Sequence, residues 1–222
     1  MDSNTVQGDR QLVGKLYVVR HGESEWNALG KWTGTTDVEL TEKGRQDAQK
    51  MGEVIKHDLI DHVFVSEQIR THQTADEMMQ RMEACVEHYT ITGALNERDY
   101  GIYTGKNKWE LKEEVGEEEF HAIRRGWEHT IPDGENLRMV YERVYPFYRD
   151  VIIPLLSQQQ HVLIIAHGNS IRSLMKYVES ISDEGIAEVE MIFGEVVIYT
   201  VDSYGKAINK EVRHIPTEPP PA

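Results

Sequence analysis

The chain has a single cysteine, Cys85, which excludes an internal disulfide framework and fits a reducing compartment, so a cytoplasmic location is expected. No histidine partner is patterned near Cys85, and it reads as a plain thiol on a helix-to-strand connection. Long apolar runs are missing as well. None approaches the ~18 residues needed to span a membrane. The opening MDSNTVQGDRQ has no apolar centre and does not read as a secretory signal. Positive charge is scarce, with 24 Lys and Arg against 38 Asp and Glu and a formal net charge of -14. A field of that sign opposes nucleic-acid binding. An anionic substrate would therefore need a local basic cluster within an acidic shell.

What is present reads as an ordinary α/β chain. At 222 residues, 39% hydrophobic and 28% charged, it has enough apolar material for one substantial domain, expected to span 1–222 with a polar arm at 1–14 and a Pro-rich tail at 217–222. Lys15–Val19 is a short apolar run rich in β-branched and aromatic residues, which predicts a buried strand. Thr41 looks like an N-cap, with helical spacing through Ala48, Met51, Val54 and Ile55. His62–Ser66 predicts a second strand, Gln68–Met82 a helix, and Tyr89–Leu95 a third strand. In the polar middle, short helices are expected at Trp109–Glu114 and Glu117–Trp127, with a turn at Pro132-Asp133-Gly134. Asn136–Ser157 predicts a long helix that Pro146 should kink. His161–Ala166 is wholly apolar, a helix Ile171–Val178 follows with Asn169 as its expected cap, and Val196–Val201 predicts a last strand. Strands alternating with helices imply a mainly parallel sheet covered on both faces.

Two of these strands end in the same dipeptide, VVRHGES at the front and IIAHGNS at the back. Ligands of open α/β sheets bind beyond the carboxyl ends of parallel strands, where glycine admits close backbone approach and a helix N-terminus offers N–H groups to an anion. A lone histidine is usually a surface or satisfied core residue, and His57, His72, His88, His121, His129, His161 and His214 are read that way. His21 and His167 differ because they share one structural locus. A neutral imidazole is a good nucleophile toward phosphorus, and a covalent intermediate divides one hard step into two. Arg20 would disfavour protonation of His21. Arg70, Lys108 and the pair Arg124-Arg125 are further cations suited to an anion, and Glu97 is the best-placed carboxylate for proton transfer.

Taken together, RHGESEWN (Arg20–Asn27), Thr33-Gly34, LNERDYG (Leu95–Gly101), Asn107-Lys108, Arg124-Arg125 and AHGNS (Ala166–Ser170) resemble the cofactor-dependent phosphoglycerate mutases of the histidine phosphatase superfamily. The resemblance runs from Leu16 to Val201. It implies a three-layer α/β/α sandwich around a mixed, mainly parallel sheet. His21 would carry the phosphoryl group and Glu97 would exchange the proton. Arg20, Arg70 and His167, with Asn27, would hold the transferring group. Ser24, Thr33, Gly34, Arg98, Tyr100, Lys108, Arg124, Arg125, Gly168 and Asn169 would contact the substrate. The implied reaction interconverts 3-phosphoglycerate and 2-phosphoglycerate, a step of glycolysis and gluconeogenesis, primed by 2,3-bisphosphoglycerate and needing no metal. Only Gly126–Glu135 fills an interval where larger members carry a long insertion, which leaves self-association open. SEQIRTHQTAD is closer to the phosphatase branch, and the rival reading is a histidine phosphatase hydrolysing small phosphate monoesters. A binding protein without turnover is a second rival, opposed by the complete set of role-bearing groups. Lys108 and the arginine pair favour the mutase, since a relocated phosphoryl group requires a retained anionic intermediate.

Overall fold

The computed structural model describes residues 14–83 and 86–215; Cys85, the Pro-rich tail and nearly all of the polar arm lie outside them. Six strands form one mixed sheet in the order β3-β2-β4-β1-β5-β6, where β1 is Lys15–Arg20, β2 His62–Val65, β3 Thr90–Ile91, β4 Val162–Ala166, β5 Glu195–Val201 and β6 Ala207–His214. The first four run parallel, while β5 and β6 are antiparallel to their neighbours.

Strand alternation builds the layers. Leu16 and Val18 of β1 enter one buried cluster, with Val140 and Val144 of α6 (Leu137–Phe147) and Ile171 and Leu174 of α8 (Gly168–Val178). Tyr17 and Val19 point to the opposite cluster, with Ala48 and Met51 of α2 (Glu42–Val54) and Ala75 and Met78 of α3 (Ile69–Met79). A period of two with both faces covered is what a central strand of a three-layer sandwich requires. The chain leaves β1 toward one face and β4 toward the other. That divergence opens a crevice at their carboxyl ends.

Thr41 caps α2 as expected, its hydroxyl accepting from Gly44 N at 3.0 Å. Several boundaries differ from expectation. The third strand is two residues long and passes into a 3-10 turn, Gly93–Leu95. The long helix runs through Pro146, then a π-helical segment Tyr148–Ile152, then α7 (Ile153–Ser157). Asn169 is not the cap of α8: the helix starts at Gly168 behind His167, whose N–H donates to Ser170 Oγ at 3.1 Å. Strand β6 was not anticipated, because it is an exposed edge whose Lys210, Glu211 and Arg213 hide any apolar alternation.

After a single turn, α1 (Glu25–Ala28), the chain builds a roof over the strand ends from α4 (Lys108–Val115) and α5 (Glu117–Arg125). This roof rests on a third apolar cluster of Trp32, Tyr100, Leu111, Phe120, Ile123 and Ile131. Helix α5 ends at Arg125, two residues short of Trp127. Among the described residues no helix is long and apolar enough to cross a membrane.

Candidate active site

Register alone brings the two His-Gly ends together. Arg20 pairs with Ala166, and His21 N continues the ladder to Ala166 O at 3.0 Å. Both imidazoles are buried, with ring centroids 4.9 Å apart. On the far side of β4, Val65 pairs with Ile165, which sets Ser66 beside His167. Glu97 follows the turn after β3. The carboxyl ends of all four parallel strands thus converge on one place.

Hydrogen bonding fixes where the ring protons sit. His21 Nδ1 lies 2.6 Å from the Gly22 carbonyl, which can only accept, so Nδ1 carries the proton and Nε2 the lone pair. Arg70 Nε, which can only donate, reaches His167 Nδ1 at 3.2 Å; His167 therefore keeps its proton on Nε2 and gives it to Ser66 Oγ at 2.8 Å. Burial first, then the Arg70 and Arg20 guanidiniums, push the His21 pKa well below the ordinary histidine range, against a smaller upward pull from the Gly22 carbonyl. His167 is lowered well below that range by burial, then by Arg70, His21 and Arg20. Arg20 was expected to hold His21 neutral; burial and Arg70 do more.

Arg70 is almost fully buried, donating to Thr36 O and Gly34 O at 2.9 Å each, and burial lowers its pKa to about 10. Arg20 lays its guanidinium 3.8 Å over the Phe193 ring and donates to Met191 O at 3.1 Å, while its buried Nε has no protein partner. Glu97 Oε1 accepts from Arg98 N at 2.7 Å and from Asn169 N and Nδ2 at 3.2 and 3.1 Å. Those bonds place the carboxylate at the N-terminus of α8, a favourable location for an anion. Asn169 Nδ2 also donates to Tyr100 OH at 2.9 Å. A Cβ at Gly168 would stand 3.8 Å from both the Arg20 guanidinium and Glu97 Oε2, in ordinary contact with each, which sets this glycine between the two groups.

Above these groups lies a cavity walled by Arg20, Glu97, Tyr100, Gly168 and Asn169 on the sheet side and by Lys108, Arg124 and Arg125 from the roof. Burial, then Arg20 and Arg124, lowers the Lys108 pKa to about 8. His21, His167 and Arg70 do not themselves line this cavity, and the remaining expected residues stand apart from that wall as well. Ser24 and Asn27 are engaged with each other as a capping box, Ser24 Oγ donating to Asn27 Oδ1 at 2.8 Å. Gly34, at φ 53°, lends its carbonyl to Arg70 and Gln68. Thr33 is buried with its hydroxyl unpartnered. Arg98 turns away, donating to Ile123 O at 2.8 Å at the end of α5.

Sequence reading overlooked six contributors, among them Trp32, which lines the cavity from the loop before Thr33. Ser66 orients His167. Gln68 ties Gly34 O to Glu97 N. Arg172 lines the cavity, donates to Asn169 Oδ1 at 3.0 Å and has an unpartnered Nε. Glu190 and Met191 close the cavity from the segment before β5. Arg172 stands at helical spacing from Asn169, but eight of the eleven residues of α8 are buried and the helix reads as core. Among the described residues no group of three or more His, Cys, Asp or Glu is placed to hold a metal ion.

A buried imidazole pair at paired strand ends, with arginines and one carboxylate alongside, is suited to nucleophilic attack on phosphorus. The model of the histidine phosphatase superfamily (branch 1) matches residues 16–212, and the chain belongs to that family. It is 38% identical to a 2,3-bisphosphoglycerate-dependent phosphoglycerate mutase of Lactobacillus johnsonii, over 89% of this chain and 97% of that one. A protein of the same name from Parvibaculum lavamentivorans is 36% identical over 89% and 95%. Among solved structures, a mycobacterial glucosyl-3-phosphoglycerate phosphatase superposes with a TM-score of 0.75 at 19% identity, covering 90% of this chain and 98% of that one, a likeness of fold alone.

Proposed function

We propose that the chain is a phosphoglycerate mutase, interconverting 3-phosphoglycerate and 2-phosphoglycerate through a phosphohistidine on His21 primed by 2,3-bisphosphoglycerate. One observation carries the reading: a neutral, deeply buried imidazole with its lone pair on Nε2 stands next to Arg20, which walls a cavity where Lys108, Arg124 and Arg125 gather in a protein of net charge -14. The names of relatives 36–38% identical support it. The donor set fits an anion with two charged ends, since Arg20 and Arg172 each hold a buried, unpartnered Nε and both line the cavity.

His21 Nε2 attacks phosphorus as the bond to the leaving oxygen breaks, and Glu97 protonates that oxygen. Arg20 and Arg70 neutralise the charge on the non-bridging oxygens, with His167 holding Arg70 in place through Nδ1. In the reverse half, Glu97 takes the proton of the accepting hydroxyl as it attacks phospho-His21. Lys108, Arg124 and Arg125 grip the far end, so that the bisphosphate is retained while it reorients. We propose that a single domain in the cytoplasm does this without a metal.

The test is to incubate the protein with 3-phosphoglycerate, with and without 2,3-bisphosphoglycerate, following 2-phosphoglycerate and free phosphate. Isomerisation that depends on the bisphosphate is expected. Rapid phosphate release with negligible isomer would overturn the mutase reading in favour of hydrolysis.

A further inference from the structure

Three arginines of the cavity wall also clamp the backbone that precedes β5. Arg172 Nη2 donates to Ile186 O at 2.6 Å, Arg125 Nη1 to Val189 O at 3.1 Å, and Arg20 Nη1 to Met191 O at 3.1 Å. Between the last two anchors stands Glu190. Its Oε1 lies 2.5 Å from Arg125 Nη2 and 3.6 Å from Arg124 Nη2. The two arginines assigned above to the far end of the substrate therefore already hold a carboxylate, and it belongs to the protein.

The pairing is built to exchange. The Glu190 side chain is 52% exposed and that of Arg124 43%, against 14% for Arg125, so water reaches the carboxylate from its outer side and screens the pair. The backbone on either side is tied down, so Glu190 can leave by rotating its own side chain while the segment stays in place. Partial burial works against its charged form, yet Arg125 and then Arg124 hold the carboxyl below the usual range, so it stays ionised at neutral pH.

We infer that Glu190 is an internal competitor for the substrate's carboxylate: it occupies Arg124 and Arg125 until a phosphoglycerate displaces it, and returns when product leaves. This rests on the proposed function. A phosphate ester without a carboxylate engages the inner cations and leaves Glu190 where it is. A phosphoglycerate exchanges one carboxylate for another, which weakens its binding by the factor that the internal pair is worth.

The experiment titrates 3-phosphoglycerate and glycerol 3-phosphate calorimetrically into the full chain carrying His21→Ala, which cannot turn over. The titrations are repeated with Glu190→Gln added, and separately with Glu188→Gln, an exposed glutamate two residues away that makes the same change in charge. Glu190→Gln is expected to tighten 3-phosphoglycerate by about two- to fivefold, the range for loss of a half-exposed ion pair. Glycerol 3-phosphate should change by less than half as much, and Glu188→Gln should leave both ligands alone. Equal gains for the two ligands, equal gains from the two glutamines, or weaker binding in Glu190→Gln would each overturn the inference. Failure of both ligands to bind any of the chains would instead remove the substrate reading, and the inference with it.

Discussion

His21 and His167 face each other with ring centroids 4.9 Å apart and planes tilted by 59°, each at the end of a central parallel strand. Both are buried and both resist protonation. In the unfolded chain they regain the ordinary histidine pKa of about 6.5. As pH falls below that value the unfolded state takes up protons that the native state refuses, so stability is present above about pH 6.5 and is lost on acidification. Urea unfolding between pH 7 and 5 should show this slope, and His21→Asn or His167→Asn should flatten it. Parallel slopes in all three chains would mean the pair is not held neutral.

Ser66 touches no cavity wall, yet it holds the proton of His167, and through that ring the Nε of Arg70. Removing its hydroxyl leaves a buried N–H unpaired, a loss of order 1–2 kcal/mol. Ser66→Ala should lower kcat by about tenfold with little change in KM, because the defect lies in the orientation of the inner groups. A rise in KM at constant kcat would contradict that assignment.

Lys108 ought to set the alkaline limit. With its pKa lowered to about 8, it is charged below that pH and loses its charge above it, weakening the grip on an anionic substrate. Then kcat/KM for 3-phosphoglycerate should fall as pH rises through about 8. Lys108→Arg, charged throughout, should remove the fall. An unchanged profile in the arginine variant would place the limiting group elsewhere.

Gly44 tests how firmly the His21 loop is seated. A Cβ on Gly44 would lie 2.1 Å from the carbonyl oxygen of Glu23, and one on Gly22 would lie 2.4 Å from that of Gly44. Alanine within helix α2 would ordinarily gain up to about 1 kcal/mol of helix propensity. Backbone against backbone has nothing flexible to yield, so Gly44→Ala should destabilise by about 1–2 kcal/mol in denaturant unfolding and lower kcat as well. A neutral or stabilising result would show that the loop adjusts freely.

How much of this was legible in the sequence depended on the range of the contacts. β1 and β4 carry continuous apolar runs that stop at His-Gly, so their shared locus could be read directly. The cap at Thr41 is local and equally visible. β6 escaped because its exposed, charged face carries no period. Ser66 escaped because a serine after a strand has no pattern of its own; its meaning comes from His167, 101 residues away. Glu190 acquires its partner across 65 residues, and Arg98, expected at the substrate, is drawn off by the carbonyl ends of α5. Motif reading collected the chemistry, and tertiary pairing decided which groups reach the cavity.

The central claim is transfer through His21 to an acceptor that stays bound. It is tested most directly by labelling the protein with 2,3-bisphosphoglycerate carrying radioactive phosphorus and then chasing with unlabelled 3-phosphoglycerate or with buffer alone. An acid-labile label absent from His21→Ala, which the chase moves into phosphoglycerates and buffer removes only slowly, is the expected result. A label that persists in His21→Ala, or that leaves as free phosphate equally fast with and without 3-phosphoglycerate, would contradict the account.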